Sequence, residues 1–434
     1  MSSNFMEDSA SAKRSVIRDV LSIYIPSFFN TIGMSIVSPI LSIYSKSFGV
    51  SYAVASLAIS MNAFGRFLAD VPVGVAADRW GRRPMMLAGT LIITAMALAN
   101  ANAPNFSWFL FFRFLQGVGS SMWMTTRQTL LADILRPEER GRIMGYFQAF
   151  MLLGSSAGPT IGGWVASVYG LAAPFYFYAA TGLMTTVLTF FLIFEPKGVV
   201  HRGGGGHSFS FGDALRLLRN STYAMACLTT FTVFFQRSGI RTNMVPLFGA
   251  NVLGLDEAAI GTVISYSTLT NLLLTVPMGY AIDLLGRKPV IAFNMIIMAV
   301  ADVAFVFAGD YWGMSIAAAV LGLASAGAGQ APLALATDAS YNERRGLAMG
   351  VYRLIGDVGS MLGPVVLSAI ADYSDLRMPF YVMAGILVFN SLMVSVFAKE
   401  VISTRLGKGT GLGGSAAGAP AGPIDGGKPP RYSD

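Results

Sequence analysis

The sequence carries little charge for its length. Of its 434 residues, only 12% are Asp, Glu, Lys or Arg, whereas 54% are hydrophobic and the mean hydropathy is +0.58. A soluble chain of this composition could not cover its surface with polar side chains. The composition therefore excludes an ordinary soluble protein and predicts an integral membrane protein.

Cysteine and histidine are almost missing. The single cysteine, Cys227, excludes an internal disulfide, and the two histidines, His201 and His207, lie in a glycine-rich segment without further metal ligands. Its four glycines are not followed by the Lys-Ser/Thr pair of a phosphate-binding loop. With no nucleophile motif in the apolar runs, the sequence argues against an enzyme, and we expect no metal and no cofactor.

Long apolar runs make up most of the chain. A bilayer core about 30 Å thick needs about 20 mainly apolar residues per helix, and twelve such runs are present. We call them spans 1 to 12. They begin near Val20, Tyr52, Pro84, Ser107, Arg142, Ala172, Thr222, Ala258, Lys288, Tyr311, Leu347 and Arg377.

Basic residues outside the spans alternate between the two sides. One side holds nearly all of them, and the other only Lys46 and Arg377, so the positive-inside rule predicts that both termini are cytoplasmic. The net charge of +7 is then a topology signal and does not indicate nucleic-acid binding. The predicted segments are an N-terminus (1–19), a first six-helix half (20–195), a linker (196–221), a second half (222–399) and a disordered cytoplasmic tail (400–434).

An internal repeat relates the two halves. The stretch GVAADRWGRRP from Gly74 to Pro84 recurs as GYAIDLLGRKP from Gly279 to Pro289, an offset of 205 residues. The same offset aligns Asp133 with Asp338 and further pairs along the chain without gaps. Because six helices return the chain to its starting side, the halves have the same orientation and form a parallel repeat.

Twelve helices in two parallel halves, with this acidic and basic cluster after spans 2 and 8, resemble the major facilitator superfamily. The fold class expected is therefore an all-α membrane protein with the major facilitator fold. Span 4 carries RFLQGVGSS from Arg113, and span 5 carries GSSAGPTIGG, which is similar to the antiporter motif of the drug/proton antiporter branch. The motif positions in span 5 are Gly154, Gly158, Pro159, Gly162 and Gly163.

The resemblance implies a conformational latch at the cytoplasmic ends of the helices. One helical turn separates Gly74 from Asp78, so a neighbouring helix can approach the glycine while the carboxylate meets its positive end. The alternative is that these arginines serve only to orient the helices in the membrane. The predicted latch residues are Gly74, Asp78, Arg79, Gly81, Arg82, Arg83 and Asp133 in the first half, and Gly279, Asp283, Arg287 and Lys288 in the second.

Charged residues inside the spans form a second group. Each costs at least about 2.5 kcal/mol on the insertion scale, so they are expected to serve the transport pathway. Spacing of four residues places Arg66 with Asp70, and Arg353 with Asp357, on common helix faces, where each pair can neutralise itself. The candidate coupling and substrate residues are Asn30, Arg66, Asp70, Arg113, Gln116, Arg237, Arg241, Arg353 and Asp357.

Two interpretations of Arg113 remain open at this point. The antiporter branch associates this motif arginine with proton coupling, but a buried arginine bonded to backbone carbonyls and to Gln116 or Asn30 would be purely structural. Span 1 also differs from the pattern of the antiporter branch, because the only acidic residue it offers is Asp19, at its N-terminal end. A proton carrier would have to be Asp70, Asp357 or Asp302, and the family layout places the last at the periphery.

The expected function is secondary transport by alternating access, most simply proton-coupled export of a small organic molecule or drug. An organic-anion or metabolite transporter or uniporter is the alternative favoured by the excess arginines, and a non-transporting sensor with the same fold is a third. The expected partners are a small-molecule substrate, protons and the lipid bilayer. We expect a monomer in the plasma (inner) membrane.

Overall fold

A computed structural model describes residues 21–134, 137–193, 211–340 and 345–399, and within these ranges every regular element is a helix. The twelve spans appear in the predicted order. They are span 1, Leu21–Val37 and Leu41–Lys46; span 2, Tyr52–Trp80; span 3, Arg82–Ala101; span 4, Phe106–Ile134; span 5, Pro137–Tyr169; span 6, Ala173–Leu192; span 7, Ser221–Gln236, Arg237–Met244 and Val245–Asn251; span 8, Glu257–Leu285; span 9, Arg287–Phe307; span 10, Tyr311–Ala339; span 11, Arg345–Tyr373; and span 12, Met378–Phe397. A short helix, Phe211–Leu218, precedes span 7.

Among the described residues, eight of these spans are long and apolar enough to cross a membrane, by length and composition. They are spans 2, 3, 6, 8, 9, 10, 11 and 12. Span 1 is shorter because it is interrupted at Ser38–Ile40, around Pro39, and span 4 carries two arginines. The remaining two, spans 5 and 7, are rich in glycine or contain an irregular segment. These four spans carry five of the nine candidate coupling and substrate residues, and spans 2 and 11 carry the other four.

Span 7 changes helix type in its middle. The α-helix Ser221–Gln236 gives way to a π-helix, Arg237–Met244, and regular α-helix resumes over Val245–Asn251. The Thr242 hydroxyl donates to the Arg237 carbonyl at 3.1 Å across the widened turn. Because π-helical turns are rare and cluster at functional sites, this segment marks span 7 as a candidate for the site.

Each half has its own hydrophobic core. The first-half core contains Ile40, Met86, Phe109 and Trp123, and the second-half core contains Phe248, Met295, Phe305 and Phe380. Across the boundary between the halves, span 2 packs against span 11 and span 5 against span 8. The repeat exchanges these two contacts, since it relates span 2 to span 8 and span 5 to span 11.

In the described part of the chain, the backbones of the two halves touch at one end of the bundle. Spans 2 and 3, and spans 8 and 9, connect at the end that carries the arginine clusters, which we call the basic end. At the opposite end the backbones of spans 5 and 8 are in contact, and Asp372 of span 11 binds the start of span 2. At the basic end, a Cβ atom built on Gly74, Gly145 or Gly350 would meet no heavy atom within 4 Å. The opposite end is therefore closed, and the space around these glycines at the basic end is open, although Arg353 of span 11 still reaches Gln128 of span 4 across the boundary.

Candidate functional site

The repeated loop motif forms the same sharp turn in both halves. Gly81 and Gly286 have φ angles of 90° and 93°, a region that favours glycine, and each ends one span one residue before the next begins. In the second half, Arg287 forms an ion pair with Asp338 of span 10 at 3.1 Å. The repeat equivalents of this pair are Arg82 and Asp133, and the Asp133 side chain lies outside the described part of the structure.

The predicted latch is not closed in this conformation. The space around Gly74 is open, and a Cβ on its equivalent Gly279 would meet only the Gln330 side chain, at 3.6 Å. Asp78 is half-buried, whereas Asp283 is exposed. Since the contact expected of a latch belongs to the state that is closed at the basic end, its role stays a prediction. Lys288 and Arg79 lie at the same end.

The antiporter-motif glycines bring span 5 against two other helices. A Cβ on Gly154 would touch Phe28 at 3.2 Å, and one on Gly162 would overlap the Ile36 carbonyl oxygen, so both glycines allow span 1 to approach. Gly158 lies between them against Ser35 in the same contact. The adjacent Gly163 has a different partner, the backbone of Glu257 at the start of span 8. The motif therefore contributes both to the packing within the first half and to the seal between the halves.

The closed end is held by hydrogen bonds that sequence reasoning missed. The Asp372 carboxylate accepts from the backbone N–H groups of Tyr52 and Ala53, each at 2.8 Å, and so caps the positive end of span 2 from the other half. Ser60 donates to the Met361 carbonyl at 2.6 Å. No local pattern identifies such a cap, because the partners are more than 300 residues apart in the sequence.

Span 5 and span 8 also share a hydroxyl pair. The Thr160 hydroxyl and backbone N–H lie 2.8 and 3.0 Å from the Ser265 hydroxyl. Next to it, a Cβ on Gly261 would overlap the Pro159 carbonyl oxygen. Pro159 lacks a backbone N–H, and its carbonyl oxygen faces the glycine of the opposite half. This seal is made by backbone and small side chains, without charge.

Arg113 adopts the arrangement expected of a structural arginine. Its Nε donates to the Ala58 carbonyl at 3.0 Å and its Nη1 to Gln116 Oε1 at 2.6 Å, and Asn100 donates to the same Gln116 oxygen at 3.4 Å. Asn30 of span 1 is also buried, but within the described part of the chain its Oδ1 has no hydrogen-bond partner. The arginine also lies within electrostatic range of Arg66, so it adds to the charge of the bundle centre.

The two predicted intrahelical ion pairs do not form. Asp70 instead accepts from the hydroxyls of Ser121 and Thr125 of span 4, and the Nε of Arg66 is buried without a partner. Spacing on one helix face permits an ion pair but does not require one, because hydroxyls from a packed neighbour satisfy the carboxylate equally well.

The second of these pairs is also replaced by contacts between the halves. Arg353 donates to Gln128 of span 4 at 2.7 Å. Asp357 lies within electrostatic range of Arg353 and, across the boundary, of Arg66 and Asp70. The four residues predicted as two separate pairs are thus one cluster, shared by spans 2 and 11.

One arginine of the π-helical segment, Arg237, interacts with this cluster. Arg237 is exposed although it lies in the middle of span 7, and it is within electrostatic range of Arg66 in the other half. Arg241 follows at one turn and lies within range of Arg237. Among the described residues neither forms an ion pair, so the second half presents uncompensated positive charge towards the first.

Asp302 lies on span 9, the helix that the family layout places at the periphery. Its side chain is fully buried, and Gln236 of span 7 donates to one of its carboxylate oxygens at 3.1 Å, while the other has no partner among the described residues. Another buried charge, Arg127, lies over the Phe147 ring at 4.8 Å. Neither residue belongs to the central cluster. The described residues contain no group of side chains able to hold a metal ion.

Comparison with known proteins agrees with this architecture. The model of the Major Facilitator Superfamily matches residues 23–258 and 226–420. The chain belongs to this superfamily. It is 23% identical over 385 residues to the quinolone resistance protein NorA of Staphylococcus aureus, covering 87% of this chain and 96% of NorA. It is 24% identical to multidrug resistance protein 2 of Bacillus subtilis, with 86% and 93% covered.

Solved transporters share the fold. The crystal structure of the nucleoside transporter NupG superposes with a TM-score of 0.69 at 14% identity, covering 87% of this chain and 98% of NupG. As a Major Facilitator Superfamily transporter, the chain acts in the membrane on a small-molecule substrate. The superfamily places substrates near the midplane between the halves, and the central charge cluster is likewise shared by the two halves, on spans 2 and 11.

Proposed function

We propose that this transporter exports a small organic molecule in exchange for protons. The observation that carries the proposal is the position of the span 5 motif, whose Gly162 and Gly163 join span 1 and span 8 at the closed end. The names of the relatives, a quinolone resistance protein and a multidrug resistance protein, support export. The central cluster supplies the charges for coupling, since Asp70 and Asp357 belong to opposite halves.

Transport into proteoliposomes with an imposed pH gradient tests the proposal. We expect a lipophilic probe such as ethidium to move against its gradient when protons run the other way, and the movement to stop when nigericin collapses the pH difference. Protein-free liposomes provide the control. Counterflow that is indifferent to the pH gradient would contradict proton coupling, and the absence of any counterflow across a broad solute panel would contradict transport.

A second candidate, an organic-anion or metabolite transporter, is favoured by the uncompensated charge of Arg237 and Arg241. Guanidinium groups bind carboxylates and phosphates in bidentate geometry, and a site lined by them attracts anions. The same proteoliposomes distinguish the candidates when anionic and cationic probes are compared. Export of lipophilic cations that survives Arg237→Ala and Arg241→Ala would contradict the anion transporter.

A further inference from the structure

Spans 2 and 11 carry the same short pattern, an arginine followed four residues later by an aspartate. Arg66 and Asp70 stand on span 2, and Arg353 and Asp357 on span 11. Span 2 starts at the closed end and span 11 finishes there, so the two helices are antiparallel. Two identical patterns in antiparallel helices are complementary, because each arginine then lies level with the aspartate of the other.

Two hydrogen bonds at the closed end fix the register of these helices. Tyr52 lies level with Asp372, and Ser60 with Met361. Continuing from Ser60, six residues along span 2 lead to Arg66, and four residues back along span 11 lead to Asp357. At about 1.5 Å per residue these displacements are about 9 and 6 Å. The continued register therefore brings Arg66 close to the level of Asp357.

The same register brings Asp70 close to the level of Arg353. One turn closer to the basic end, Arg353 crosses the boundary between the halves and donates to Gln128 of span 4. Gln128 follows Thr125 by three residues on that helix, and Thr125 donates to Asp70. The guanidinium of Arg353 is thus held about one helical turn from Asp70, the acceptor that it would meet if the basic end closed.

The repeat-related interface between spans 5 and 8 lacks this pattern. Its equivalent positions are Asn271 and Thr275 on span 8, and Gln148 and Leu152 on span 5. The duplicated scaffold does not require charge at these levels, so the four charges on spans 2 and 11 serve a purpose that the spans 5 and 8 interface does not share.

We propose that Arg66, Asp70, Arg353 and Asp357 form a proton-sensitive lock that closes the basic end through two crossed ion pairs, Arg66 with Asp357 and Arg353 with Asp70. In the open state seen here the pairs are separated. Ionised aspartates draw spans 2 and 11 together, and a proton on either aspartate removes one pair and favours the open state. This inference rests on the proposed proton coupling and names its residues.

The lock fits an exchange cycle. A proton that enters from the opposite end neutralises an aspartate, and the basic end then opens. The proton leaves at the basic end, and the ionised aspartates allow this end to close around the substrate. Other charged groups at this depth are Arg113 and Arg127 of span 4 and Arg237 and Arg241 of span 7, all cationic, which helps to keep both aspartates ionised in the closed state. Asp302 is buried away from the cluster.

Distance measurements on the whole protein test the lock without a substrate. Nitroxide labels on cysteines at Val75 and Tyr280, exposed repeat-equivalent positions of spans 2 and 8, report the width of the basic end in a Cys227→Ala background. In nanodiscs, we expect the ratio of closed to open molecules to rise about tenfold between pH 5 and pH 8, as a shift of one pKa unit between the states requires. Asp70→Asn with Asp357→Asn should abolish this change.

Three further variants keep the test decisive. Exchange of one pair, Arg66→Asp with Asp357→Arg, should restore closure at high pH, whereas Asp357→Arg alone should not. Thr275→Val, at the uncharged interface, should leave the pH response intact. An unchanged pH response in the doubly neutralised variant overturns the lock, and so does failure of the exchanged pair to close. Pumping of ethidium with no pH-dependent closure refutes the lock alone, and closure without pumping refutes the proposed function alone.

Discussion

The two contacts between the halves are related by the internal repeat but are built differently. Spans 5 and 8 meet through backbone, with Gly163 and Gly261 allowing carbonyl groups of the opposite half to approach. Spans 2 and 11 meet through side-chain hydrogen bonds from Ser60 and Asp372. Further towards the basic end, the second contact carries four charges and the first carries none. The duplication supplied one scaffold, and side-chain changes made one contact a close backbone seal without charged side chains and the other a polar contact that carries them.

The largest effect is expected where the backbones touch. In Gly261→Val, the new Cβ would overlap the Pro159 carbonyl oxygen, and overpacking of this kind typically costs about 1–3 kcal/mol. Because only the closed-end state contains the contact, we expect a population shift of about tenfold towards opening at this end and severe loss of transport. The loss of stability is measured by thermal unfolding, and the population shift by distances between labels at the closed end.

The matched control for that substitution is Gly385→Ala, since a Cβ at Gly385 meets nothing within 4 Å. A normal stability and a normal closed end in Gly261→Val would show that spans 5 and 8 are not in backbone contact.

The next largest effect concerns the latch at the open end. We expect Asp78→Asn to impair transport more than Asp283→Asn at matched expression, because the motif arginine Arg79 is replaced by Leu284 in the second copy. A carboxylate at a helix N-terminus contributes about 1 kcal/mol, or about fivefold in the population of the closed latch. Initial transport rates measure the difference. Equal losses in the two variants would mean that both loops only maintain the fold.

A smaller effect is expected from the cap between the halves. Asp372→Ala removes both hydrogen bonds to the start of span 2, and loss of a cap costs about 1 kcal/mol. The closed end should open about fivefold more often, as measured by label distances. Asp256→Ala is the matched control, because Asp256 caps span 8 within its own half through Ala259. If both variants shifted the equilibrium equally, the cap by Asp372 would have no special role.

The smallest effects compare single hydroxyls in the two contacts. Ser60→Ala removes a bond from spans 2 and 11, and Ser265→Ala removes one from spans 5 and 8. Hydrogen bonds between membrane helices contribute about 0.6 kcal/mol on average. We expect each variant to lower the thermal stability slightly while transport continues. A collapse of stability in Ser265→Ala would mean that this seal depends on the hydroxyl pair more than on the glycines.

The sequence by itself determined the broad architecture. Apolar runs of bilayer length and the 205-residue repeat predicted a helical bundle in two halves, and the structure and the family match confirm that fold. These signals are readable because a membrane requires long apolar helices and because a duplication leaves periodic identities. The sequence also singled out Gly158 and Gly162, whose small size is what their contacts with span 1 require.

Only the tertiary structure decided how the charges are shared. Four-residue spacing indicated that Arg66 and Asp70 share a helix face. In the structure, however, Asp70 accepts hydrogen bonds from hydroxyls of span 4, and Arg66 lies within electrostatic range of Asp357 in the other half. The cap by Asp372 and the buried hydrogen bond between Gln236 and Asp302 could not be predicted from the sequence either. Electrostatic and hydrogen-bond partners depend on which helices are neighbours and at what register, and local sequence carries neither of these.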